Sequence, residues 1–118
     1  MQCSVRGATT CENTKKSIFT ASREMLERIM QRNNIAIGDI ASAVFTCTRD
    51  LTAAYPAAAA RELGITAAGL LCVQEMHVDG SLERCVRVLV LFNSELKQNE
   101  VRHVYLNGAQ VLRPDLVE

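Results

Sequence analysis

The apolar positions of this chain change period several times, and each change marks an element. From Cys3 to Thr9 the small and apolar residues predict a first strand, loosened near its end by Gly7. Asn13 or Thr14 is placed to cap a helix. Ile18, Ser22, Met25, Ile29 and Asn33 then recur at helical spacing, and Ala21, Leu26 and Met30 widen the stripe. The opposite face carries Lys15, Lys16, Arg23, Glu24, Glu27, Arg28 and Arg32, a solvated face rather than a binding surface. The result is an amphipathic helix of about five turns, ending near Asn33-Asn34.

Beyond the Gly38-Asp39 turn the period falls to two. Ala41–Thr48 is rich in Val, Phe and Thr and predicts a second strand. The Ala-rich Leu51–Ala60 follows. Pro56 suits the first position of a short helix and Gly64 its end, with Arg61 in the last turns. Ala68–Met76 predicts another strand, Asp79-Gly80 a turn, and Arg84–Phe92 the most apolar strand. Asn93–Glu100 is polar, a loop or one helical turn. Val101–Leu112 regains strand character, with Asn107-Gly108 as a possible tight turn. Strand, helix, strand, short helix and three further strands define a mixed sheet with one long helix on one face, an α/β arrangement of the α+β type. Arg84–Phe92 is apolar on both alternating sets, so both its faces should be covered. One helix covers one of them. A neighbouring subunit is expected on the other.

Composition narrows the picture. The 118 residues point to one domain over 1–118. Aromatics are 4% and Trp is absent, so the core is expected from Ala, Val, Leu, Ile and Met. Thirteen basic and thirteen acidic side chains cancel, which removes any general pull toward nucleic acid or a membrane surface. No apolar run approaches the ~20 residues of a membrane helix. The opening MQCSVRGATT has no charged segment followed by an apolar core, so no signal peptide is expected. Five cysteines, without a CxxC pair, read as reduced core thiols of a cytoplasmic protein.

Candidate chemistry lies where charge interrupts apolar strands. Arg87 shares one strand face with Cys85, Leu89 and Leu91, where a guanidinium needs an anionic partner. Glu75 interrupts the strand that holds Leu71 and Cys72. It either pairs with Arg87 or is a carboxylate positioned in a cleft. Arg6, Arg61 and Arg113 are either solvated or part of an anion site, and Tyr105 is either a strand-face packer or a ligand contact. His77 and His103 have neither metal spacing nor a nucleophile motif nearby, and read as loop or strand-end residues. There is no phosphate-binding glycine loop. These residues fit an acidic small ligand, and if the protein is an enzyme its chemistry should need no nucleophile or metal.

The segments VRGATT, YPAAAARELG, CVQEM, RCVRV, RHVYL and VLRPDL occur in one order from Val5 to Leu116. In this the chain resembles the chorismate mutases of the small, trimeric, non-helical bacterial class. The resemblance implies three mixed α/β subunits joined as a pseudo-α/β barrel, with active sites between subunits. It implies the rearrangement of chorismate to prephenate, on the way to phenylalanine and tyrosine, with no cofactor. Carried over residue by residue, Arg87 meets the ether oxygen, Arg6 a substrate carboxylate, and Tyr105 the same region. Glu75 takes the ring hydroxyl, with Cys72 beside it. Arg61 and Arg113 stand at the rim, and Tyr55, Ala57, Leu71 and Leu112 form walls. Alternation puts Cys72 and Glu75 on opposite faces, so a bulge or a backbone contact from Cys72 is expected.

Some positions depart from the family pattern. Ala58 stands where the family has a lysine, Leu71 where it has Thr, and Tyr55 where it has Phe. The chain stops at Glu118, which implies a short or missing closing tail. Weaker substrate binding, rather than a lost reaction, is the expectation. A trimeric enamine or imine deaminase and a non-catalytic sensor of a small carboxylic acid are the alternative readings.

Overall fold

The computed structural model describes residues 1–116; Val117 and Glu118, where the short-tail expectation falls, lie outside them. Five strands form one sheet: β1 (Gln2–Thr10), β2 (Ile40–Cys47), β3 (Gly69–Gln74), β4 (Cys85–Asn93) and β5 (Val104–Tyr105). Their spatial order is β3-β2-β4-β1-β5. β4 runs antiparallel to both neighbours, while β2/β3 and β1/β5 are parallel pairs. The sheet is mixed, as the element order implied.

Helix α1 (Lys15–Arg32) starts where the Thr14 side chain accepts from the Ser17 N–H, at 3.1 Å. Ile18, Ser22, Met25, Leu26 and Ile29 are its buried residues, close to the stripe read from the sequence. The charged face is solvated, and Arg23 bridges Glu27 at 3.4 Å and Glu62 at 3.0 Å. Helix α2 (Ala57–Glu62) follows Pro56, which already has helical angles. Its end is closed by Gly64 at φ 97°, with Ile65 N–H donating to the Ala60 carbonyl at 3.0 Å. A left-handed residue at this place is what a helix C-terminus asks of glycine.

The core lies between α1, α2 and one sheet face. Val5, Val86, Val88, Val90, Phe92, Ala43 and Phe45 meet Ile18, Met25, Leu26 and Ile29 there. Phe45 and Phe92 are the largest fully buried side chains, which corrects the expectation of an aliphatic core. Two phenylalanines supply volume that short aliphatic side chains would leave empty.

The opposite face is open over most of its area. Its rows follow from register: Arg6, Leu89, Val44 and Leu71 in one, Ala8, Arg87, Thr46 and Val73 in the next. Leu71 is 57% exposed and Leu89 39%. One corner is covered by the chain itself. Ala109, Leu112 and Leu116 pack there with Ala8, Cys85 and Tyr105.

That corner corrects the last predicted strand. Only Val104 and Tyr105 pair with β1, and Asn107–Leu112 is a 3-10 helix. The Asn107 side-chain amide donates to Thr9 Oγ1 at 3.0 Å, and Gly108 N–H donates to Thr10 Oγ1 at 2.9 Å. These bonds take the place of ladder pairing and turn the backbone across the end of β1. A Cβ on Gly108 would meet Thr10 Oγ1 at 2.9 Å, so glycine permits the approach.

Candidate active site

Three elements place charge on the open face. Arg87, near the start of β4, lies opposite Ala8 of β1 and Thr46 of β2. Glu75 follows β3 directly, and its N–H donates to the Cys47 carbonyl at 2.9 Å, which keeps the chain extended past the last paired residue. Its Oε1 accepts from the Thr46 hydroxyl at 2.7 Å and lies 3.5 Å from Arg87 Nε. The charged pair read from the sequence therefore exists. It is not a buried structural bridge, because the Arg87 side chain is 45% exposed. The expectation of a desolvated Arg87 is corrected for the single chain: β4 is apolar on both sets, yet only one set is covered.

Tyr105 lies beside Ala8 in the parallel β1/β5 pair and is 9% exposed, packed in the corner cluster. Leu112 closes the same cluster. Arg113 follows, held by Asp115 through Nε to Oδ1 at 3.2 Å and Nη2 to Oδ2 at 3.0 Å. Those bonds, ahead of charge attraction, raise the Arg113 pKa further and lower that of Asp115. Arg6 points from an exposed position on β1, and its backbone N–H donates to His103 Nδ1 at 3.0 Å.

A second group lies elsewhere. Tyr55, Ala58, Cys47, Cys72, Val73 and Gln74 are among the residues lining a pocket of about 660 Å³ at the β2/β3 edge. Cys72 pairs with Phe45 in the β2/β3 register, so its side chain belongs to the helix side of the sheet and that of Glu75 to the open face. The bulge expected between them is not found. β3 pairs with β2 without a shift through Gln74, and the one irregularity of β2 falls between Ile40 and Ser42. Burial, followed by the neighbouring thiols, pushes the Cys47 pKa up to about 12. Arg61 is exposed in the last turn of α2. Ala57 is 4% exposed within the core, so any wall it offers is made through its neighbours. Leu71 faces the open side. Among the described residues no group of three or more His, Cys, Asp or Glu side chains could hold a metal ion.

Sequence reading passed over two residues here. Thr46 looked like an ordinary strand threonine, and its register opposite Arg87 was the only available signal. His103 read as a strand-end residue. It lies among the arginines, and burial, then Arg6 and Arg113, hold its pKa below the ordinary 6.5. With Nδ1 accepting, neutral His103 carries its proton on Nε2. Its folded form takes up a proton less readily than its unfolded form. The stability it contributes is therefore complete above pH 6.5 and is lost as pH falls through the lower folded value. The denaturant midpoint should fall as pH drops below 6.5, and His103→Asn, which keeps an acceptor, should flatten that fall. Parallel pH profiles for the two proteins would remove His103 as the cause.

Comparisons with known proteins establish the family and the fold. Residues 2–116 match the chorismate mutase type I family. The chain belongs to that family, whose members are isomerases. It is 46% identical to the chorismate mutase AroH of Thermus thermophilus, over 95% of this chain and 93% of that protein. It is 40% identical to the AroH of Bacillus subtilis (strain 168), over 95% and 90%. A solved chorismate mutase from Clostridium thermocellum superposes with a TM-score of 0.90 at 43% identity, covering 92% of this chain and 97% of that one. The mutase reading of the six sequence segments is borne out, and neither the deaminase nor the sensor alternative gains support.

Proposed function

We propose that this protein converts chorismate to prephenate at a site made from the open sheet face of one copy and the β2/β3-edge pocket of another. The carrying observation is that Arg87, Glu75 and Arg6 share one sheet face in a chain of this family. The reaction breaks the ether C–O bond of chorismate and forms a C–C bond as electrons move around a six-membered ring of atoms. No proton leaves and no covalent intermediate forms. What such a reaction needs is the compact conformer held in place and charge placed where it develops.

Each residue has a place in that scheme. Arg87 faces the ether oxygen as negative charge grows there. Glu75 accepts from the ring hydroxyl and stabilises positive charge developing on the ring. Arg6 takes a substrate carboxylate, with Tyr105 packed beside that region. Arg113 and Arg61 stand at the rim, from the corner segment and from α2. Tyr55, Leu71 and Leu112 supply apolar wall, with Ala57 supporting it from behind. Cys72 approaches the hydroxyl from the pocket side. Because it lies on the sheet face opposite Glu75, it serves a site whose Glu75 belongs to another copy. Ala58, in the pocket lining, brings no charge, which fits weaker binding of a dianion.

Exposed apolar rows on the open face support assembly, and the family resemblance makes a trimer the preferred state. Among the described residues no helix is long and apolar enough to cross a membrane. Five free thiols suit a reducing compartment, and the reading places the enzyme in the cytoplasm.

Purified protein mixed with chorismate should consume it and release prephenate, while Arg87→Ala should not do so at a comparable rate. Absence of turnover by folded wild-type protein would sink the assignment. Sharing of the site has its own test. Arg87→Ala damages the open-face half and Arg61→Glu the rim that α2 provides. Unfolded together and refolded as a mixture, the two should recover more turnover than the sum of both alone. If no activity returns while the copies demonstrably mix, both halves belong to one chain.

A further inference from the structure

We infer that Thr46 is a positioning residue that sets how Glu75 presents its carboxylate, an inference that rests on the site reading above. Thr46 sits on β2 directly across from Arg87 of β4, on the open face. Its hydroxyl donates to Glu75 Oε1 at 2.7 Å. Arg87 Nε approaches the same oxygen at 3.5 Å, too long for a well-formed hydrogen bond. The Thr46 hydrogen bond and the closest approach of Arg87 thus both fall on Oε1, and among the described residues Oε2 accepts no side-chain hydrogen bond. Oε2 remains the acceptor for a ligand hydroxyl.

A carboxylate and a guanidinium side by side tend to close into a forked pair with two short bonds. Such a pair would occupy both Glu75 oxygens and turn the Arg87 fork away from any ligand. Thr46 opposes that closure in two ways. Its hydroxyl satisfies Oε1 from the β2 side. As a β-branched residue it has little χ1 freedom, so the direction of that bond is fixed by the strand. Glu75 has a matching backbone anchor in its N–H bond to Cys47, the residue after Thr46. Thr46 therefore works through Glu75 and Arg87 and touches no ligand itself.

Thr46→Val keeps the shape and strand preference and removes the hydroxyl. It should lower kcat for chorismate about tenfold, with a smaller change in KM. Thr46→Ala should behave alike, so a packing fault peculiar to valine does not decide the matter. Thr46→Ser, which restores the hydroxyl but frees χ1, should regain most of the loss and stay within about threefold of wild type. In a Glu75→Ala background, Thr46→Val should change kcat by less than about twofold, because there is no carboxylate left to aim. Native kcat in both Thr46→Val and Thr46→Ala overturns the inference. So does failure of Thr46→Ser to recover, or an undiminished tenfold effect without Glu75. Native turnover by Glu75→Ala itself overturns the site reading instead, which keeps the two failures apart.

Discussion

Arg87→Lys should leave a folded protein whose kcat is lower by about 10²–10³-fold, the loss typical when one preorganised donor to a developing oxyanion is removed. The positive charge is kept, so a purely Coulombic role would survive the change. What disappears is the planar fork that can offer one N–H edge to the ligand while another faces Glu75. A lysine ammonium is a single point on a flexible stem. Placed near Glu75, it would pair with that carboxylate and carry its attendant water. KM should move less than kcat, because the interaction strengthens only as the ether bond breaks. Stability should change by no more than about 0.5 kcal/mol, as for other surface substitutions. The Arg87 side chain is 45% exposed in the single chain and meets Glu75 at 3.5 Å, so little folding energy rests on it. Steady-state kinetics beside a denaturant titration separates the two accounts. If turnover and stability fall together, Arg87 is a structural ion-pair member and its catalytic assignment is wrong.

The sequence made Arg87 visible because a charge in an apolar strand breaks a pattern that the sheet otherwise obeys. Glu75 was visible for the same reason, and alternation alone separated it from Cys72. Their actual meeting depended on the β2/β4 and β2/β3 registers, which long-range pairing sets and local periodicity does not encode. Thr46 stayed hidden because threonine is at home in any strand, and only its register partner gives it a role. The end of the chain shows the converse limit. Val101–Leu112 has strand composition, yet side chains at Thr9 and Thr10 capture Asn107 and Gly108 and end the pairing after Tyr105. A competition between ladder bonds and side-chain bonds cannot be read from propensity, since both partners are about a hundred residues apart in sequence. The two buried phenylalanines teach a smaller lesson: a low aromatic fraction says little about where those few aromatics go.

Leu89→Glu should abolish both assembly and turnover while leaving the fold of the single chain intact. Leu89 projects from the centre of the open face, between Arg6 of β1 and Val44 of β2, with Leu71 one strand further. At 39% exposure it contributes little to the intrachain core, so the isolated subunit should tolerate a carboxylate there. In an assembly the same group would lose its water. Burying an unpaired charge costs several kcal/mol, and a symmetric trimer would pay that cost at every interface. Arg6 lies close enough to offset part of it, and in doing so would be withdrawn from the substrate carboxylate. Leu89→Ala, by contrast, removes only apolar contact and should weaken association without eliminating it. Sedimentation across a concentration series, far-ultraviolet dichroism and a chorismate assay on the same samples make the comparison. Folded Leu89→Glu subunits that sediment as monomers and lack activity would tie catalysis to the covered sheet face. Folded subunits that remain active as monomers would show that one chain holds a whole site. Arg87 and Glu75 would then act without the pocket of a neighbour, and Cys72, on the far side of its own sheet, would have no part in the chemistry.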